Sequence, residues 1–95
     1  MSHRIRLTGA MICTADRLAA VRAALPEHIR LTRLEPGCLS FEVTEAPGGR
    51  FEVNELFADL AAFDAHQARG GASVWAEVTR GLPRDYQITE EATPS

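Results

Sequence analysis

The chain contains no lysine, and all ten of its basic residues are arginine. That removes a Schiff-base amine from the possible catalysts. The arginines are interspersed with acidic residues and the formal net charge is -3. The clustered positive field that phosphate backbones require is therefore missing, and nucleic acid is not expected as a partner. Cysteine is scarce too: Cys13 and Cys38 are the whole complement, lack metal-ligand spacing, and read as buried thiols of a reducing, cytoplasmic compartment. No apolar run near Met1 is long enough for a signal peptide, and no segment approaches a membrane span. The histidines His3, His28 and His66 show no ligand spacing and join no paired acidic motif, so neither a metal nor a bound cofactor is expected.

What remains is an ordinary globular composition, 45% hydrophobic and 24% charged. Ninety-five residues make one domain, with a core expected over about residues 4–89 and a flexible tail over 91–95. A chain of this size buries only about two thirds of the surface its unfolded form exposes, and self-association is the cheapest remedy.

Residues 4–13 alternate Ile5, Leu7 and Met11 against Arg6, Thr8 and Ala10, which predicts a first strand with Gly9 as a bend or a point of close approach. Thr14 or Asp16 is placed to cap a helix carrying Leu18, Val21, Leu25 and Ile29 at helical spacing. Pro26 should kink that helix or restart it. Glu35-Pro36-Gly37 stops it. Leu39, Phe41 and Val43 then alternate with polar neighbours in a second strand, and Ala46-Pro47-Gly48-Gly49 is a hairpin connection to a third.

The stretch from Arg50 to Gln67 organises the rest. Phe51, Val53 and Phe57 fall on alternate positions of a half-buried strand, and Glu55 interrupts their row. Asp59 can cap the next helix, whose stripe is Leu60, Phe63 and Gln67, with His66 at the stripe's edge. A carboxylate in an apolar row and a histidine beside a buried stripe can meet in one half-buried pocket. Alternatively, Glu55 pairs with an arginine and His66 simply suits the carbonyl end of its helix. Gly70-Gly71 breaks the chain, Ser73 can cap a short helix bearing Trp75, and Tyr86 and Ile88 alternate in a last strand over 82–90.

Strand, helix, strand, strand, helix, strand with a central hairpin is the ferredoxin-like βαββαβ arrangement of the α+β class, with both helices on one face of an antiparallel sheet. The other face is neither fully polar nor fully apolar, and a second copy of the chain covering it gives a homodimer.

Three segments in register, Arg33 to Val43 with its Glu-Pro-Gly, Val53 to Phe57 with its Glu-x-aromatic, and Ala62 to His66, resemble the antibiotic biosynthesis monooxygenase family. The resemblance spans about residues 4–89. It implies a dimeric α/β barrel with a small-molecule pocket between sheet and helices in each subunit. The family includes oxygenases of polycyclic phenols or quinols that use neither metal nor flavin, haem-degrading enzymes, and isomerases of small sugar phosphates. Haem degradation is disfavoured, because the resemblance would require an asparagine within residues 4–13, a tryptophan where His66 stands, and a later histidine.

His66 matches the family's helix-end histidine and is the expected base, since an imidazole titrating near neutrality can take a phenolic proton. Asn54, Glu55, Trp75, Tyr86 and His28 are the expected substrate contacts. Strand alternation lets only one of Asn54 and Glu55 face the pocket. Trp75 either walls a flat substrate or anchors its helix. His28 and Arg33 do not share a line on the first helix and read foremost as surface or salt-bridging residues. The expected activity is cofactor-independent oxygenation of a small aromatic phenol or quinol with O2. The alternatives are a dimeric small-molecule-binding protein without turnover and a cofactor-free isomerase.

Overall fold

A computed structural model describes residues 3–92 of the chain. Four strands, β1 (His3–Ile12), β2 (Cys38–Ala46), β3 (Arg50–Phe57) and β4 (Arg84–Ala92), form one antiparallel sheet in the order β2-β3-β1-β4. Three helices complete it: α1 (Leu18–Arg33), α2 (Leu60–Gly71) and the short α3 (Val74–Val78). This is the ferredoxin-like α+β fold expected from the sequence.

Period-2 patterning builds the inner face. Ile5, Leu7 and Met11 from β1, Phe41 from β2, and Phe51 and Phe57 from β3 are all buried. The apolar core forms two clusters: Met11, Cys13, Val21, Phe51 and Leu82 make one, and Ile5, Leu7, Phe57 and Phe63 the other. Glu55 is flanked across the sheet by Leu7 on β1 and Phe41 on β2. It is itself buried, so the row carries a carboxyl where packing alone would choose a hydrocarbon.

Two glycines permit close approaches that frame the inner face. Gly9 adopts φ +139, and a Cβ there would lie 2.0 Å from the Asp85 carbonyl oxygen, so its bare backbone lets β4 close against β1. Gly37 adopts φ +84, and a Cβ would lie 2.5 Å from the Cβ of Ala62. The turn after α1 can therefore lie against α2 only with glycine.

Several local expectations change. Pro26 does not restart α1, which runs continuously from Leu18 to Arg33; the proline lies on the exposed side of the helix. Neither Thr14 nor Asp16 caps α1, because a 3-10 turn over Ala15–Arg17 intervenes and Thr14 makes no side-chain cap bond. The buried face of α1 is Val21, His28 and Thr32. A register shift between Cys38 and Ser40 turns Leu39 outward, where it is 49% exposed. Gly70 and Gly71 continue α2 as its last residues. The α2 stripe is rotated from the expected one: Phe63 and His66 are buried, while Leu60 and Gln67 are exposed. Ile88 is exposed although Tyr86 on the same row is half-buried. Finally, β4 extends to Ala92, with Glu91 ion-paired to Arg6, so the tail expected over 91–95 does not begin at 91; residues 93–95 lie outside the described part.

The caps of the other two helices match their sequence signals. Asp59 accepts from the Ala62 amide at 2.8 Å and Ser73 from the Ala76 amide at 3.2 Å. Among the described residues no helix is long and apolar enough to cross a membrane.

Candidate active site

Between the sheet and the helices lies a cavity of about 350 Å³. Its floor is Leu7 and Glu55 from the sheet, His28 and His66 face it from α1 and α2, Trp75 walls it from α3, and Tyr86 and Arg84 reach it from β4. Five of the six expected site residues therefore converge: His66, Glu55, Trp75, Tyr86 and His28.

Asn54 does not join them. It projects from the opposite face of β3, where it is exposed and its Oδ1 accepts from Arg6 Nη1 at 2.5 Å. The reason is pleating: with Glu55 turned toward the helices and no bulge in β3 at that point, its neighbour must face away. His28 departs from its expected surface position in the other direction, being buried at 7% exposure. Arg33 is exposed and donates to the Phe41 carbonyl and to Glu42.

His66 is held from both sides. Its Nδ1 lies 2.9 Å from Glu35 Oε1, and its Nε2 lies 3.8 Å from Glu55 Oε1. Glu35 is anchored in turn by an ion pair with Arg69 Nε, while Arg69 Nη2 donates to Thr32 Oγ1 at 2.9 Å. The Thr32 hydroxyl donates to the His28 carbonyl at 2.8 Å. A carboxylate at Nδ1 selects the tautomer with hydrogen on that nitrogen and leaves the Nε2 lone pair facing Glu55. Burial holds the His66 imidazole below its ordinary pKa; Glu35 pulls it up and Arg69 adds to the downward push. The ring is thus a neutral base at physiological pH.

Glu55 lies deeper in the apolar row of the sheet. Burial among hydrocarbon, followed by repulsion from Glu35, pushes its pKa up to about 7. His28 is driven the other way, down to about 4, first by burial and then by His66 and Arg69. Its ring stacks on Trp75 with centroids 4.8 Å apart and planes 8° from parallel. Its Nδ1 is buried without a hydrogen-bond partner among the described residues. Burial also raises the Tyr86 phenol, with Arg84 opposing.

A second hollow of about 660 Å³ lies between α1 and α3, with His28 and Trp75 again in its wall. Neither His66 nor Glu55 lines it. Among the described residues no three His, Cys, Asp or Glu side chains are arranged to hold a metal ion.

Sequence reasoning missed Glu35, Arg69 and Arg84. Glu35 was hidden inside Glu-Pro-Gly, where proline and glycine explain the helix stop and the acid looks incidental. Arg69 had a usable signal: three residues beyond His66, it shares that helix face.

A ferredoxin-like sheet with a polar, aromatic-walled cavity under its helices defines a protein of the α+β class. Residues 5–78 match the family model described as antibiotic biosynthesis monooxygenase, and the chain belongs to that family. Among solved structures it is similar to MupZ from Pseudomonas fluorescens, with TM-score 0.76 and 20% identity over 93% of this chain and 68% of that one. Rv0793 from Mycobacterium tuberculosis gives TM-score 0.68 and 25% identity over 97% and 96% of the two chains. A protein of Deinococcus radiodurans gives 0.73 and 26% over 96% and 93%. No curated protein matches the sequence.

Proposed function

We propose that the protein is a cofactor-independent monooxygenase of a small aromatic phenol or quinol, with His66 as the base that takes the phenolic proton. The observation that carries this reading is the Glu35–His66 pair, 2.9 Å apart, which leaves Nε2 as a free base at the cavity. Glu35 then stabilises the imidazolium that proton transfer creates. A phenolate is electron-rich enough to reduce O2 directly. One oxygen atom enters the product and the other leaves as water, the substrate supplying all four electrons. Trp75 and Tyr86 support a flat aromatic ligand, and the volume of about 350 Å³ suits a molecule of two or three rings.

The working unit in this reading is a homodimer. Support comes from the outer sheet face, where the Arg6–Asn54 and Arg6–Glu91 contacts sit beside the half-buried Leu56, a mixture suited to a partner sheet. Asn54 then serves the interface rather than the pocket.

Oxygen uptake by metal-stripped protein, measured against hydroquinones and anthrone-type phenols with His66→Ala alongside, tests the reading. Uptake by the native protein that the variant lacks is the expected result. Full activity in His66→Ala would overturn the assignment of the base. If no compound supports uptake while one of them quenches Trp75 fluorescence, the cavity binds without turnover.

A further inference from the structure

We propose that Glu55 and His66 form one proton-transfer pair, with His66 on the accepting side and Glu55 on the donating side, so that the cavity both removes a proton from its ligand and returns one. The inference rests on the oxygenase reading and supplies the second group that such chemistry needs. Removing a phenolic proton starts the reaction, but reduced oxygen must gain protons before it can leave as water.

Glu55 is suited to give them. It is 6% exposed, its carboxyl belongs to the cavity wall, and the one side-chain nitrogen within 4 Å of it among the described residues is His66 Nε2 at 3.8 Å. No backbone or side-chain donor among those residues satisfies it, which is expensive for an ionised carboxylate and tolerable for a neutral acid. The value of about 7 follows from that surrounding. His66 has its Nδ1 hydrogen committed to Glu35, so the only nitrogen able to exchange a proton faces Glu55. A movement of about 1 Å by either side chain would bring oxygen and nitrogen within hydrogen-bond reach.

The other titratable and charged groups packed around the pair are already engaged or neutral. Arg69 on α2 is tied to Glu35, and Arg84 on β4 to Thr79 and Leu82. His28 on α1 is uncharged at neutral pH, and burial raises both Tyr86 on β4 and Cys38 on β2. Glu35 therefore fixes His66, and Glu55 is the acid left facing the ligand.

The steps balance. His66 Nε2 takes the phenolic proton, and the phenolate passes electrons to O2 as a carbon–oxygen bond forms at a ring carbon that bears hydrogen. Glu55 protonates the terminal peroxide oxygen and recovers a proton from the His66 imidazolium. His66 then takes the ring C–H proton, the electron pair closes a carbonyl, and the O–O bond breaks. The departing hydroxide receives its proton from Glu55, again refilled by His66. The net change is one phenol and one O2 to one quinone and one water, with both side chains restored.

Two readings on the full chain test the pair, with Glu55→Gln as the isosteric variant and thermal melting as the control for folding. In ligand-free protein, pH titration of the His66 ring nitrogens by NMR is expected to show a step near pH 7 that tracks Glu55 and vanishes in Glu55→Gln. A single step that the variant leaves unmoved overturns the coupling. With an anthrone-type phenol, Glu55→Gln is expected to keep the absorbance of bound phenolate while quinone formation falls about a hundredfold. Quinone formation at the native rate overturns the donor role. Should Glu55→Gln fail to fold, Glu55→Asp is expected to retain the second titration step, and its loss there overturns the pair. Absence of oxygen uptake by the native protein defeats the oxygenase reading instead, and the ligand-free titration still decides whether the two groups share a proton.

Discussion

At the scale of single residues, the two nitrogens of His66 occupy different chemical worlds. Nδ1 meets the Arg69-anchored Glu35, and Nε2 meets a carboxyl whose pKa burial pushes up to about 7. In Glu35→Gln the geometry can persist while the charge that favours the imidazolium is lost. Because Glu35 raises the His66 pKa against burial, its neutralisation should lower that pKa further, as read by NMR titration. Under the proposed chemistry the turnover rate should fall about tenfold to a hundredfold with little change in KM. Glu55 and His28 also leave signatures in stability. The folded chain holds a proton on Glu55 that the unfolded chain releases, so this residue lowers stability as pH rises from about 4.5 to about 7. Glu55→Gln should thus gain up to roughly 3 kcal/mol at pH 8 and little at pH 4, measured by denaturant melts.

At the scale of elements, the site depends on how three chain segments are held together. The turn after α1 positions Glu35 only because Gly37 tolerates φ +84 within 2.5 Å of the Ala62 Cβ. Gly37→Ala should destabilise the fold by more than about 1 kcal/mol and push Glu35 away from His66. Its melting temperature and the His66 titration should shift together. The short helix α3 carries Trp75 and relies on Ser73, whose side chain accepts from Ala76 and donates to the Gly70 carbonyl. Thr79 adds a bond from its hydroxyl to the Trp75 carbonyl and accepts one from Arg84. Ser73→Ala should cost about 1 kcal/mol and weaken ligand-induced quenching of Trp75, since the loosened helix no longer fixes the cavity wall.

At the scale of the whole molecule, the buried titratable groups oppose one another. The unfolded chain accepts a proton on His28 that the folded chain refuses, so His28 lowers stability as pH falls from about 6.5 to about 4. Glu55 acts with opposite sign across an overlapping window, and His66, also held below its ordinary value, adds to the His28 side. The native protein should therefore show a shallow stability profile between pH 4.5 and 6.5. Glu55→Gln should tilt it upward with pH, and His28→Phe, which keeps a flat ring against Trp75, should tilt it downward. Each tilt should reach roughly 2 to 3 kcal/mol end to end in melts across that window.

The order of elements, the inward rows of β1 and β3, the hairpin, the caps at Asp59 and Ser73 and the oddness of Glu55 within its row come from the sequence by itself. Each depends on periodicities and turn chemistries that act over a few residues. Alternation also dictated that Asn54 and Glu55 part company, though not which of them would face the helices. Only tertiary structure decided that, together with the burial of His28 beneath Trp75 and the meeting of Glu35 with His66 across 31 positions of chain. Such contacts arise from how α1, α2 and the sheet pack, and the pKa values of Glu55 and His28 arise from the desolvation that this packing imposes. A glutamate that ends one helix and a histidine inside another carry no local mark of each other until the fold brings them within 2.9 Å.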